Sequence, residues 1–250
     1  GNVSESQARV NTDLFTEILK IKPEKWKKVI HQGRLDFTAG EDITQVLKTQ
    51  VNNSCLWRLQ YFGENSIEEA AQAQVIGNFV GSPFFLEMRT NQQLGYIVWG
   101  GAASAEKSSY FYFIIQSGNH PAEYLANQAE QFSLTLPDSL RQLPEEDFLA
   151  IKNSVIEKIK EKPTSIEEQA GKYYTMAFDY NGNFNRNEEL IQAVENLTRE
   201  KSVEVLAKVL ANETLERATV LLYAKEHNVG ENIKSSFDSI NQWKNTRKYQ

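Results

Sequence analysis

The feature that most restricts the fold of this chain is the run from Tyr110 to Gln116, in which six consecutive side chains are aromatic or aliphatic. Aromatic and β-branched residues favour strands. A strand that is apolar on both faces is typical of the middle of a covered sheet. A short polar link over residues 104–109 joins it to a second candidate strand, Leu94 to Gly101. The pair is therefore predicted to form an antiparallel hairpin.

Helical patterns surround this hairpin. Ser-x-x-Glu capping boxes at Ser66 and Ser165 predict helices that end before Pro83 and near Phe178. The other predicted helices span residues 4–30 with a break at Pro23 and a short turn from Trp26 to Ile30, a segment from Pro121 to about Leu136, Pro144 to Lys162, 188–196 and 199–211. Strands are predicted at Ser54–Phe62, at Arg217–Ala224 and, within an ambiguous segment from Arg34 to Lys48, at Leu35–Phe37.

This order of elements predicts an α+β fold with one mainly antiparallel sheet covered by helices. No repeat or linker divides the chain, so residues 1–250 are interpreted as one domain with a polar tail from about residue 230.

Composition excludes several classes of protein. The chain has 250 residues and a net charge of -6, and its basic residues are scattered apart from short clusters near residues 25–28 and 158–162. A nucleic-acid partner is not expected, because such proteins carry a basic stripe with interleaved aromatics. A membrane is not expected either, because no apolar run approaches the ~18 residues that span one. The single cysteine, Cys55, excludes an internal disulfide, favours a core position and is compatible with cytoplasm or periplasm.

The three histidines do not predict a metal site. Catalytic zinc usually takes about three protein ligands, two of them histidines at helical spacing. Only His120-Pro121-Ala122-Glu123 approaches such a motif, and the second ligand position is occupied by Tyr124. Glu123 is better explained as an acid in the first turn of a helix. His31 and His227 have no metal-binding partner nearby, and motifs of serine hydrolases, P-loop NTPases and dinucleotide-binding proteins are absent.

The segment from Phe84 to Val98 contains the strongest functional candidates. Arg89 and Tyr96 lie seven residues apart across a turn that leads into a strand. Arginine offers a fork of donors for carbonyls or carboxylates, and the tyrosine hydroxyl is a single donor. Gly95 permits a close approach of the backbone. The spacing alone also allows a structural interpretation, in which Arg89 pairs with a local acid and Tyr96 packs in the sheet.

The run Arg89-Thr90-x-x-Gln93-Leu94-Gly95-Tyr96-Ile97-Val98 resembles a signature of the C-terminal domains of the insulin-degrading enzyme and pitrilysin family of zinc metallopeptidases. The resemblance covers roughly residues 50–225 and includes the strand before Phe62, the Phe113–Ser117 segment, Lys162-Pro163 and the Phe184–Arg186 loop. Met88 replaces the leucine that commonly precedes the arginine, which conserves volume.

The resemblance implies that this chain is an N-terminally truncated piece of a peptidase whose two halves enclose a chamber for short unfolded peptides. Zinc would be bound in the N-terminal half of the same polypeptide, so the expected cofactor has no ligands here. The chain would be a C-terminal, non-catalytic domain, inactive alone, with peptide substrates and that N-terminal half as its partners.

The resemblance also assigns roles to matched residues. Tyr96 would donate to the substrate carbonyl oxygen as an oxyanion forms, and Arg89 would hold the substrate backbone. Phe84 and Phe85 would line the chamber or the core, and Phe85 is included as a substrate-binding candidate. Two alternatives remain: a structural or assembly subunit with the same fold, and a stand-alone peptide-binding module. A His-x-x-Glu-His motif upstream would favour the peptidase.

Overall fold

The computed structural model describes residues 3–20, 37–64, 66–105 and 108–247. The chain divides into a smaller unit of residues 1–33 and 162–184 and a larger unit of residues 34–161 and 185–250. The predicted turn from Trp26 to Ile30, His31 and the first two residues of the predicted strand Leu35–Phe37 lie outside the described residues. No helix in the described ranges has both the length and the apolar character needed to cross a membrane.

The larger unit is built on a five-stranded sheet. Its strands are β1 (Glu41–Lys48), β2 (Ser54–Glu64), β3 (Ile97–Ala105), β4 (Ser108–Ser117) and β5 (Glu216–Tyr223), in the spatial order β1-β5-β2-β4-β3. Only β1 and β5 pair in parallel, and the other neighbours are antiparallel. The predicted α+β class, the β3–β4 hairpin and the interior position of β4 are confirmed.

Eight helices occur in the described residues: α1 (Glu5–Ile18), α2 (Ile67–Phe85), α3 (Ala122–Gln142), α4 (Glu145–Lys160), α5 (Ile166–Phe178), α6 (Arg186–Asn196), α7 (Arg199–Leu210) and α8 (Ile240–Asn245). Helices α1 and α5 belong to the smaller unit. Both predicted capping serines are present, since the Ser66 and Ser165 hydroxyls accept backbone N–H groups of Glu69 and Glu168 at 3.2 and 3.1 Å.

The core of the larger unit lies between one sheet face and helices α2 and α3. Side chains of β4 alternate between buried and half-buried, and the buried face carries Phe111, Phe113 and Ile115. Helix α2 is capped by Ser66 and buries Ile76 and nine other residues, as its apolar sequence requires. This packing fixes the end of α2 beside the start of β3, where the functional candidates lie.

Several boundaries differ from the sequence-based expectations. Helix α1 ends at Ile18, and α3, expected to end near Leu136, continues through Pro137 to Gln142. Phe37 is not in a strand, and β1 begins at Glu41. Strand β3 begins at Ile97 and not at Leu94. Pro83 lies inside α2, where the helix was expected to have ended. Proline removes one helical hydrogen bond, but Phe84 and Met88 beyond it are both fully buried, and their packing carries the chain on in a helical path.

Candidate functional site

The link between α2 and β3 is a π-helical turn, Leu86–Asn91. The Glu87 carboxylate accepts hydrogen bonds from the side-chain amides of Asn91 and Gln92 at 2.7 and 2.8 Å. The Gln92 backbone N–H also donates to the Glu87 carbonyl at 2.9 Å. The hydrogen bonds from Gln92 and Asn91 lower the pKa of Glu87, because they favour its charged form. Such turns are rare and occur frequently at functional sites.

This turn brings Phe85, Arg89 and Tyr96 together. The Arg89 guanidinium lies 5.2 Å from the centre of the Phe85 ring and 4.4 Å from the centre of the Tyr96 ring. Its Nη1 also donates to the backbone carbonyl of Tyr96. A cation over an aromatic face contributes about 0.5–1 kcal/mol at an exposed site. Arg89 therefore holds both the ring and the backbone of Tyr96. We call these three residues the Phe85–Arg89–Tyr96 cluster.

The cluster faces solvent. Tyr96 is 80% exposed and Phe85 is 42% exposed. Within the described ranges, no hydrogen bond engages the Tyr96 hydroxyl and no carboxylate pairs with Arg89. The structural interpretation, with Arg89 in a local ion pair and Tyr96 packed in the sheet, does not describe this geometry. The hydroxyl and the remaining N–H groups of the guanidinium are available to a ligand.

The backbone that carries Tyr96 is anchored on both sides. Leu94 is buried, and its N–H donates to the Met88 carbonyl at 2.9 Å. At Gly95 a Cβ atom would lie 1.8 Å from the carbonyl oxygen of Gln116, so a larger residue cannot occupy this position. The close approach expected at Gly95 is confirmed. This close approach brings the backbone at Gly95 into contact with the end of β4, and the next side chain, Tyr96, points outward.

The structure separates the two adjacent phenylalanines. Phe84 is fully buried, with its ring 4.8 Å from Phe113 and 5.3 Å from Phe132. Phe85 is exposed beside Arg89. The sequence left open which of them belongs to the core, because both follow Pro83 and the helical phase beyond a proline is not readable from the sequence.

The two histidines that the structure describes, His120 and His227, have structural contacts. His120 stacks on Tyr124 with ring centres 4.8 Å apart, and His227 Nδ1 lies 2.8 Å from the Ser54 hydroxyl. No group of three His, Cys, Asp or Glu residues suited to a metal ion occurs in the described ranges. Cys55 is half-buried, and burial raises the pKa of its thiol, which opposes a nucleophilic role.

A second group of charged residues, not identified from the sequence, lies between the sheet and α3. Arg58 Nη1 donates to Glu130 at 2.8 Å, and Arg217 bonds both Glu130 and Asp42, the latter at 2.6 and 3.0 Å. Burial, and then the nearby charge of Arg217, lower the pKa of Arg58 to about 10. These four residues, the Arg58–Arg217 network, come from β1, β2, α3 and β5, so no local sequence signal reveals them.

Comparison with known proteins gives a consistent result. A model of the PQQ synthase PqqF-like family, C-terminal lobe domain 4, matches residues 75–174, which include the Phe85–Arg89–Tyr96 cluster. Insulin-degrading enzyme of Drosophila melanogaster is 23% identical over 96% of this chain and 25% of its own length. The human insulin-degrading enzyme is 27% identical over 70% of this chain and 17% of its own length. The chain thus spans a quarter or less of these relatives.

Solved structures agree on the fold. Pitrilysin superposes over 100% of this chain and 27% of its own, with a TM-score of 0.82 and 18% identity. A peptidase M16 inactive domain from Pseudomonas fluorescens covers 92% of this chain and 53% of its own, with a TM-score of 0.67 and 16% identity. The resemblance inferred from the Arg89–Val98 run is confirmed by these findings.

Proposed function

Because the chain is homologous to the C-terminal domains of M16 peptidases, we propose that residues 1–250 form the zinc-free, substrate-binding domain of a zinc metalloendopeptidase. The substrates are short unfolded peptides, enclosed between this domain and the N-terminal half of the same polypeptide. In this proposal the N-terminal half of the polypeptide holds the zinc, as the resemblance to this peptidase family implies. The chemistry of this chain is confined to binding and to hydrogen-bond donation.

The observation that carries the proposal is the Tyr96 hydroxyl, which is exposed and has no partner among the described residues. A fixed donor aimed at a carbonyl oxygen stabilises the negative charge that develops there during peptide hydrolysis. Such a donor is effective only if its position is set before reaction. The contacts of Arg89 with the ring and carbonyl of Tyr96 supply that restraint.

Arg89 and Phe85 have complementary roles in binding. One guanidinium nitrogen is engaged with Tyr96, and the other donors of Arg89 bind a carbonyl of the substrate backbone. The exposed ring of Phe85 offers an apolar surface for a substrate side chain. In this arrangement Tyr96 acts on the carbonyl of the bond to be cut, Arg89 binds a neighbouring main-chain carbonyl, and Phe85 contacts a substrate side chain.

The test is Tyr96→Phe in the full-length polypeptide that contains this chain. The kcat for an internally quenched peptide should fall roughly 10²–10³-fold, because one oxyanion donor is lost. The KM should change little, since the ground state gains less from this donor. Tyr124→Phe, which removes an exposed hydroxyl on α3, is the matched control. An unchanged kcat in Tyr96→Phe would exclude the hydroxyl from the reaction.

Inactivity of the 250-residue chain alone is tested with the same peptide and added Zn²⁺. No hydrolysis is expected. Zinc-dependent hydrolysis by the purified chain would overturn this part of the proposal. A full-length polypeptide that folds but cleaves no peptide would favour an assembly subunit with this fold.

A further inference from the structure

Strand β3 forms an open edge of the sheet. It is last in the order β1-β5-β2-β4-β3 and pairs with β4 alone. On its other side, no backbone partner for Ile97–Ala105 is found among the described residues. About half of its N–H and C=O groups therefore point away from the sheet, because these groups alternate in direction along a strand.

This edge lacks the features that normally prevent pairing with another chain. Natural edge strands carry lysine, proline, inward-pointing charge or a bulge. The stretch from Ile97 to Ser104 has no charged residue and no proline. Its register with β4 runs unbroken from Ile97 opposite Gln116 to Ala105 opposite Ser108. The open edge is about 30 Å long at 3.3 Å per residue.

A groove of about 460 Å³ follows the second half of this edge, along Gly100–Ser104. The strand contributes no side chain larger than that of serine there; Ala103 and Ser104 are exposed, Gly100 and Ala102 are half-buried, and Gly101 is buried. The opposite wall carries Gln74 and Asn78 of α2 and Lys158 of α4. The carboxamides of Gln74 and Asn78 have no hydrogen-bond partner within the described ranges. Carboxamides both donate and accept, as peptide groups do.

Close packing of α2 on β3 places these carboxamides at the edge. A Cβ atom at Gly77 would lie only 2.4 Å from the Cβ of Ala102, so the helix approaches the strand more closely than any side chain would allow. Gln74 and Asn78 flank Gly77 on the same helix and line the groove. The groove is thus formed by the close packing of α2 on β3.

The groove lies along the same strand that begins directly after Tyr96. Tyr96 directly precedes β3, and Gly100–Ser104 lies four to eight residues further along the same strand. At 3.3 Å per residue this is about 13–26 Å from Tyr96. Among the residues that the structure describes, no carboxylate lines the groove, and Lys158 is its one charged side chain.

We propose that the β3 edge binds an extended peptide as a sixth strand of the sheet, and that this holds a substrate several residues away from the bond presented to Tyr96. The inference rests on the proposed function for the identity of the occupant. Recognition is by main-chain hydrogen bonds, so it tolerates many sequences. A folded protein cannot supply an unpaired strand of this kind without local opening.

The test uses the 250-residue chain and a fluorescein-labelled, twelve-residue peptide of alternating threonine and glutamine. Two derivatives are N-methylated at every odd or at every even residue. Only one set of amides faces β3 in a paired strand, so one derivative should bind at least about 10-fold more weakly, at ~1 kcal/mol for each lost hydrogen bond. The other should bind within about 2-fold of the parent. Equal weakening of both, or of neither, would overturn the proposal.

Amide hydrogen exchange gives a second readout. The unmodified peptide should slow exchange at alternate residues between Val98 and Ser104, because only outward-facing amides gain a partner. Protection confined to other strands would overturn the proposal. A dimer in sedimentation that the peptide cannot dissociate would assign the edge to a second copy of the chain, which also overturns it.

These measurements distinguish the two proposals. The alternating pattern is measured on the isolated chain and the kcat of Tyr96→Phe on the full-length polypeptide, so each measurement reports on one proposal. If Tyr96→Phe does not alter kcat but the alternating pattern is present, the role of Tyr96 fails and the edge remains a peptide-binding site. If kcat falls but the pattern is absent, only the edge proposal fails.

Discussion

Arginine is used in two contrasting ways in this molecule. In the Arg58–Arg217 network, the Arg58 side chain is 6% exposed and pairs with a carboxylate, and Arg217 pairs with two. In the Phe85–Arg89–Tyr96 cluster, Arg89 contacts two rings and one backbone carbonyl and has no carboxylate partner within the described ranges. A buried charge requires an opposite charge nearby. A partly exposed guanidinium does not, so Arg89 keeps donors free for a ligand.

This difference indicates that the groups an arginine contacts, more than its residue type, distinguish a structural role from a functional one. The Arg58–Arg217 network joins β1, β2, β5 and α3 and should act on stability. The exposed cluster restrains one hydroxyl-bearing side chain and should act on catalysis. Substitutions in the Arg58–Arg217 network should therefore lower stability more than activity, and substitutions in the Phe85–Arg89–Tyr96 cluster should lower activity more than stability.

The largest expected effect is that of Glu130→Gln. Glutamine removes the carboxylate that accepts hydrogen bonds from both Arg58 and Arg217, and leaves the pair of Arg217 with Asp42. The free energy of unfolding should fall by about 1.5–3 kcal/mol, the usual value for hydrogen bonds to charged groups, because Arg58 is buried while the Glu130 side chain is 38% exposed. Urea denaturation measures it, with the exposed Glu146→Gln on α4 as the control. A loss below about 1 kcal/mol would place the network with ordinary surface ion pairs.

The next effect is that of Arg89→Lys, which keeps the charge but loses the planar fork. In the full-length polypeptide kcat should fall roughly 10–100-fold, because small displacements of a catalytic group reduce rates on this scale. The free energy of unfolding should change by less than about 1 kcal/mol. Arg141→Lys, at an exposed ion pair with Asp138, is the matched control. A stability loss as large as that of Glu130→Gln would remove the contrast between the two regions.

The smallest effect concerns Arg247, whose guanidinium has both a carboxylate partner and an aromatic-ring contact. It pairs with Glu41 and lies 4.6 Å from the centre of the Trp243 ring. Burial alone would raise the pKa of Glu41, but hydrogen bonds from Arg247 and from the Thr38 N–H outweigh it, and the pKa is lowered. A lowered pKa stabilises the folded state above the unfolded value near 4.5, and this stabilisation is lost as pH falls through the folded value.

Acidification below pH 4.5 should therefore weaken the attachment of the C-terminal segment to β1, by about 1 kcal/mol or less. Unfolding free energies of the parent and of Arg247→Met, measured between neutral and acidic pH, isolate this contribution. The variant should show a smaller decrease on acidification. Identical pH profiles would show that the pair contributes nothing.

Local patterns predicted much of the fold. The capping serines, the β3–β4 hairpin and the interior strand β4 follow from hydrogen-bonding side chains and apolar periodicity that act within a few residues. Strand β1 was missed because its partner β5 lies about 175 residues away, and the pairing is parallel. The helix around Pro83 was misjudged because the burial of Phe84 and Met88 is decided by the sheet beneath them.

For the site, the sequence by itself supplied the chemistry: a guanidinium at position 89, a phenol at position 96 and a glycine between them that permits a close backbone approach. Tertiary structure alone decided the geometry. The packing of α2 on the sheet determines three features of the site. These are the π-helical turn closed by Glu87, the exposure of Phe85 rather than Phe84, and the contact of Arg89 with Tyr96. Short-range sequence fixes which groups are present, and long-range packing fixes where they point, because burial is a property of the whole fold.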